Sequence, residues 1–240
     1  MNFRKIEGFF LHGIDLSNWM ACWNFTLSKK LVAANFLPLV DPSFASQRRI
    51  EEISIEELTL NPGSFTGTMT PRSLWFVWAA SIIRAGGHVG IGEINTKWHT
   101  KEEMDRLVRI GDAELQLEKI RRDINPSACS RLGCLWVADD NPEGLLNIRS
   151  MLGPLVYVAK VQIPVASKFT KADRRYFDLF IRTKEEEYAV KYWSEKKYGL
   201  TDSWEYLVEG VIESTSEEDI KYIKENGKTI FRAIEEGNDV

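Results

Sequence analysis

One stretch constrains this chain more than any other: ELQLEKIRRDINPSACSRLGCLWVADD, from Glu114 to Asp140. Leu117, Ile120 and Ile124 recur at helical spacing, and Glu118 stands four residues before Arg122, a pairing that supports a helix. Pro126 disfavours helical geometry at Asn125, so the helix must end there. A polar hinge over 127–131 then leads into a strand over 132–138, whose apolar residues fall on both faces, as in a strand covered on two sides. Ser130 and Arg131 therefore stand at the mouth of a buried strand. A hydroxyl and a forked cation there suit a phosphate or ribose, while a surface ion pair at a strand end is the plainer reading of Arg131.

At 240 residues the chain can bury a large core, and one elaborated domain over 1–240 is expected, with a helical region at about 15–110. Charged and apolar fractions of 28% and 44% are those of a globular protein. The longest apolar run, Ser73 to Ile83, is too short to span a bilayer, so no membrane segment is expected. The N-terminal MNFRKIEGFFLHG has too short an apolar core for a secretory signal and reads as a first strand of a cytoplasmic protein. Cys22, Cys129 and Cys134 have no paired metal spacing, and His88 and His99 add none, so neither a disulfide framework nor a metal is expected. The net charge of -4 argues against coating nucleic acid by bulk electrostatics. Cations exceed acids over 1–50 and the reverse holds over 201–240, an acidic end that serves solubility, shielding of a basic groove or nucleic-acid mimicry.

In chain order, Glu7 to Ile14 reads as a strand with Phe9 and Leu11 on one face and Phe10 and His12 on the other. Gly13 permits close backbone approach, and His12 offers a ring nitrogen beside it. A helix through Trp19, Met20 and Trp23 capped by Asp15 or Ser17 is expected next, then a second over 31–36 ended by Pro38. Residues 50–60 alternate partly. The polar run 64–70 suits a loop over a site, and 74–83 a buried helix ended by Gly86-Gly87. GGHVGIG, over 86–92, lacks the spacing of a phosphate loop and reads as a loop carrying His88. Thr100 caps the next helix, which Gly111 should break or bend. Helix 145–152 and strand 155–163, closed by Pro164, follow. Lys168 to Lys184 interleaves cations with aromatics, which suits either a nucleic-acid strand or an amphipathic helix with snorkelling cations. A helix carrying Tyr188, Tyr192 and Trp193 precedes the final strand, 204–213, with Glu205, Leu207 and Glu209 on one face. A carboxylate there is costly in a core unless bonded or functional, and simply solvated at an edge.

Three of these segments together resemble the ADP-ribosyltransferases, in particular a bacterial and phage group of small domains. FFLHGID is similar to the first strand of the histidine-type members. The run with Glu118, Ile120, Arg121, Pro126, Ser130 and Arg131 resembles that group's helix, Pro-Ser-Arg turn and hydrophobic strand, with Cys129 in the place of the proline. EYLVEG, from Glu205 to Gly210, looks like the late strand that starts with the catalytic glutamate, with Ser203 upstream where many members carry Glu or Gln, which disfavours an arginine target.

The resemblance implies an α+β fold of split mixed sheets with flanking helices, and NAD as substrate without a metal. It implies that His12 and Gly13 hold the nucleotide, that Ser130 and Arg131 fix ribose or pyrophosphate, and that Glu205 stabilises the positive charge that builds on the sugar. The acceptor is then a macromolecule, with RNA or DNA slightly favoured over protein by the 168–182 run. Such an enzyme would be a toxin or phage-defence effector silenced by a partner protein. A non-catalytic binding or inhibitor protein of the same fold, and an NAD glycohydrolase, are the alternatives.

Overall fold

The computed structural model describes residues 2–60, 71–91, 97–153, 156–200 and 202–228. Seven strands and nine helices are formed among them: β1 (Arg4–Ile14), α1 (Trp19–Ser28), β2 (Lys30–Val32), α2 (Leu37–Val40), α3 (Ile55–Leu60), α4 (Arg72–Arg84), β3 (Gly90–Ile91), β4 (Lys97–Trp98), α5 (Lys101–Ile124), β5 (Leu135–Asp139), α6 (Pro142–Leu152), β6 (Tyr157–Asp173), α7 (Arg174–Thr183), α8 (Glu186–Trp193), β7 (Trp204–Ser214) and α9 (Glu217–Asn226). The α+β class is as expected.

The main sheet runs β2-β7-β5-β1-β6, and β6 also pairs with β7, so four strands close into a ring with β2 appended. Every pairing among the described residues is antiparallel, where mixed sheets were expected. Directions alternate around the ring, and the helix-bearing link from β5 to β6 steps over β1, so like-directed strands are never neighbours. Alternating side chains give the strands two buried faces. Phe10, Val137, Val161, Tyr206 and Val208 pack together on one face with Cys22 and Phe25 of α1 and Ile223 of α9. Cys134, Ala172 and Leu207 face α5, α7 and α8, against Leu117, Phe180, Tyr192 and Trp193. A third cluster joins Leu58, Leu74 and Val77 to Leu115 and Leu132.

Helix α5 begins at Thr100, whose hydroxyl and Glu103 form a reciprocal cap, and ends at Asn125 before Pro126, as its sequence requires. It does not break at Gly111. A Cβ there would lie 2.5 Å from the Phe76 carbonyl oxygen and 2.7 Å from Ala80 Cβ, so this glycine serves the close crossing of α4 rather than a bend. Pro164 likewise does not close its strand. It lies within the register shift between Gln162 and Val165, where a residue without an N–H is tolerated, and β6 continues to Asp173. Lys168 to Lys171 are consequently strand residues, not the start of a helix.

The expected helix over 31–36 is replaced by β2, at the sheet edge, and by α2, in which Pro38 occupies the first turn and so starts a helix instead of ending one. The partly alternating stretch 50–60 forms a 3₁₀ turn (Ile50–Glu52) and α3, with Glu56 and Glu57 in the helix's first turn where its dipole favours them. The first helix is capped by Asn18, not by Asp15 or Ser17. Gly90 and Ile91 of the His88 segment pair with β4. The polar run 64–70 lies outside the described residues, as does the acidic end beyond 228. No helix among the described residues is long and apolar enough to cross a membrane.

Candidate functional site

Two arrangements built from the predicted residues meet at Trp136. The first is a buried ionic cluster assembled by α5. Glu114 and Glu118 lie one turn apart on the helix and grip consecutive residues of the turn before β5. The Ser130 hydroxyl donates to Glu118 Oε2 at 2.9 Å, and the Arg131 guanidinium donates to both Glu114 oxygens at 2.9 and 3.1 Å. Glu118 also receives both forks of Arg121, which reaches on to the carbonyls of Pro126 and Ala128 and so fixes the turn. Arg122 binds Glu118 as well, at 2.8 Å, and holds the carbonyls of Ile50 and Ile53. Cys129 completes the turn, with its N–H on Thr170 and its thiol on the Leu207 carbonyl.

Arg131 extends its remaining nitrogen to Glu205 Oε1 at 2.5 Å and to the Tyr192 hydroxyl at 2.5 Å, and Tyr192 donates to the same glutamate oxygen. Its guanidinium lies between the rings of Trp136, 4.2 Å away, and Phe177, 4.0 Å away. Burial opposes its charge, but Glu114, Tyr192 and Glu205 hold it well above the usual arginine range, so it stays protonated. Arg131 and Glu205 are 2% and 1% exposed. Arg131 is therefore a buried ion-pair centre rather than a surface pair, and among the described residues Glu205 Oε2 is left without a hydrogen-bond partner. Ser130, Arg131 and Glu205 line neither the cavity at His12 nor the recess that adjoins it.

The second arrangement is open. His12 and Gly13, near the end of β1, line a cavity of about 650 Å³ together with Asn18 and Trp19 before and in α1, Arg72 and Trp75 of α4, and Leu135 of β5. A volume of this size falls within the roughly 300–1,000 Å³ of ligand pockets. His12 Nδ1 lies 2.7 Å from the Trp136 carbonyl, and a carbonyl only accepts, so Nδ1 carries the proton. Burial lowers the pKa of His12 against the raising effect of that bond, which keeps the ring neutral. Nε2 is then an acceptor with no protein partner among the described residues. A Cβ on Gly13 would collide with Leu152 and Ile148 of α6, so the glycine allows α6 to close against β1 beside the cavity. A smaller recess of about 160 Å³, lined by His12, Arg72, Cys134, Trp136 and Met151, adjoins it.

The structure thus joins Ser130, Arg131 and Glu205 in one network and sets His12 and Gly13 in another, with the Trp136 carbonyl on one and its ring on the other. Glu114, Tyr192, Trp136 and Arg72 were not singled out from sequence. Glu114 was legible, because it lies with Leu117, Glu118 and Arg121 at helical spacing on the buried stripe of α5, where carboxylates are costly without partners. Tyr192 and Trp136 carried no signal distinguishing them from core aromatics.

The second acidic residue of β7, Glu209, is fully buried too. It accepts from Arg49, Asn35 and Ser167, each at 2.7 Å, while Lys168 binds the adjacent Glu51 at 2.5 Å. Burial pushes Glu51 up, but Lys168 and Asn35 outweigh it and hold this carboxyl down at about 2. Other cations of the 168–182 run are similarly engaged: Lys171 lies over the Trp204 ring, Arg174 binds the Asn147 carbonyl, and Arg175 pairs with Asp173. The three cysteines are free and buried, and burial first of all raises Cys22 to about 11 and Cys129 to about 12, so they are unreactive thiols. Among the described residues no cluster of His, Cys, Asp and Glu is placed to hold a metal ion.

Compared with known proteins, residues 93–224 match the model of DUF2441, a family described as proteins of unknown function. No curated protein matches the chain. The matched span begins before α5 and ends within α9, so it contains the whole Glu114–Arg131–Glu205 network and none of β1.

Proposed function

The chain belongs to the DUF2441 family, and from its site we propose that it is an NAD-dependent ADP-ribosyltransferase that modifies a macromolecular acceptor. The observation that carries this reading is the open end of β1. A neutral His12, its tautomer fixed by the Trp136 carbonyl, offers Nε2 to a hydroxyl on the wall of a cavity large enough for a dinucleotide. In this reading His12 accepts from a ribose hydroxyl and the Gly13 backbone borders the nicotinamide.

Breaking the bond between nicotinamide and ribose builds positive charge on the sugar, and a preorganised carboxylate beside it lowers the barrier. Glu205 takes that role. Arg131 and Tyr192 hold its Oε1 and leave Oε2 as the available acceptor. Ser130 and Arg131 act by position, fixing Glu205 and Trp136, and turnover requires Glu205 to become accessible to the sugar. A nucleic-acid acceptor and a role as a toxin or phage-defence effector with a silencing partner remain part of this proposal, by resemblance alone.

One observation favours a second reading. Glu205 is enclosed and bonded as a structural carboxylate would be, which suits a protein that binds a ligand or partner without turnover. Purified protein incubated with labelled NAD and mixed cellular protein, RNA and DNA separates these. Label in one macromolecule, lost in Glu205→Gln, is the expected result and names the acceptor class. Free ADP-ribose alone identifies a glycohydrolase, and unchanged NAD turns the assignment to the binding protein.

A further inference from the structure

Resting on the reading of the His12 cavity as a ligand site, we propose that Arg72 is its anion-recognising residue and that the cavity takes a nucleoside phosphate or diphosphate. Arg72 is the first residue of α4 and lines both the larger cavity and the smaller recess beside His12. The enclosed arginines have carboxylates, Arg49 with Glu209, Arg121 and Arg122 with Glu118, Arg131 with Glu114 and Glu205, Arg175 with Asp173, whereas Arg72 is exposed on the cavity wall. Arg72 makes no ion pair or hydrogen bond among the described residues, and its contact with the Phe76 ring, at 5.5 Å, leaves the forked donors unused. That fork matches two oxygens of a phosphate.

Two charges act on Arg72 through space, Asp15 more strongly than Arg106. Arg106 of α5 acts on Arg72 through space as a like charge, and Asp15, the acidic group on the cavity wall, acts in the opposite sense. One Asp15 oxygen is occupied by the backbone N–H and hydroxyl of Ser17, and the neighbouring His12 is neutral. Trp19 and Trp75, both half-buried on the cavity wall, present apolar faces for a planar group. Anion, hydroxyl and planar ring together describe a nucleotide, and the neutral His12 alone would not select the phosphate.

The test is calorimetric titration of adenosine, ADP and inorganic pyrophosphate into the full chain, its Arg72→Gln variant and its Arg72→Lys variant, with thermal unfolding as the check on folding. The wild type should bind ADP at least about tenfold more tightly than adenosine, because a charge-assisted phosphate contact is of that size. Arg72→Gln should lose this difference while its adenosine affinity stays within about twofold, and Arg72→Lys should keep part of it, as a point charge without the fork does. Equal binding of ADP by wild type and Arg72→Gln, or a wild type that does not distinguish ADP from adenosine, would overturn the proposal. Arg72-dependent ADP binding without any NAD turnover removes only the transferase reading. NAD turnover with no phosphate discrimination removes only the role of Arg72.

Discussion

The Arg131–Glu205 network and the His12 cavity lie on either side of one residue, Trp136, and differ in the state of their polar atoms. In the network nearly every donor and acceptor is matched, and two carboxylates surround one guanidinium away from water. In the cavity His12 keeps an unused acceptor and Arg72 an unused fork, and both face open volume. A matched network stabilises a conformation, whereas unmatched groups at a cavity are available to a ligand. In the proposed reading the difference separates residues that hold the site from residues that touch what binds, with Glu205 alone in the network taking both parts.

The strongest way to break this contrast is Arg131→Met. It strands Glu114 and Glu205 in an apolar layer and should cost about 3–5 kcal/mol in urea unfolding, since loss of one partner leaves buried charge uncompensated. A cost below 1 kcal/mol would mean the network is not the anchor described. Glu205→Gln keeps an oxygen for Arg131 and Tyr192 and should cost less, about 1–3 kcal/mol, through the amide group placed where Oε2 has no donor or acceptor to meet. Its effect on NAD turnover should be far larger than that on unfolding.

On the cavity side the effects on stability shrink. Gly13→Ala should destabilise by about 1–3 kcal/mol, because the new methyl meets Leu152 and Ile148 and displaces α6 from β1. His12→Ala removes one hydrogen bond, to the Trp136 carbonyl, and should cost only about 0.5–1.5 kcal/mol while weakening ligand binding at least about tenfold.

The smallest expected effect is on pH dependence. Burial depresses the folded pKa of His12 below its ordinary 6.5, so the unfolded chain takes up the proton first on acidification. The His12 contribution is full above pH 6.5 and is lost as pH falls through the folded value. Comparison of wild type with His12→Gln over this window should show the wild type losing stability more steeply, and a parallel pair of curves would remove the neutral, half-buried histidine from the account.

Much of this was legible in the chain. Strands β1 and β7, the two ends of α5 at its Thr100 cap and before Pro126, and the Glu118–Arg122 pair follow from alternation, capping and proline chemistry that act locally. Gly111 and Pro164 misled because their local meaning, break and stop, yields to a neighbouring helix at one and a register shift at the other, neither of which is encoded nearby. In the run 168–182 the partners of the cations are likewise hard to read locally. Lys168 and Arg174 are engaged by Glu51 and Asn147, which are distant in sequence, and Arg175 by Asp173, which is near. At the site, the chain showed which residues carry charge but not which have partners: Arg131, singled out for a ligand, is enclosed by Glu114 and Glu205, while Arg72, unremarked on an apolar helix, faces the His12 cavity.

The most direct measurement is calorimetric titration of NAD into the wild type and His12→Ala, each checked by thermal unfolding. The account predicts binding to the wild type and at least about tenfold weaker binding to a folded His12→Ala, the size of one lost hydrogen bond to a buried ligand group. Absence of NAD binding to the wild type, or equal affinity in the two proteins, would contradict it.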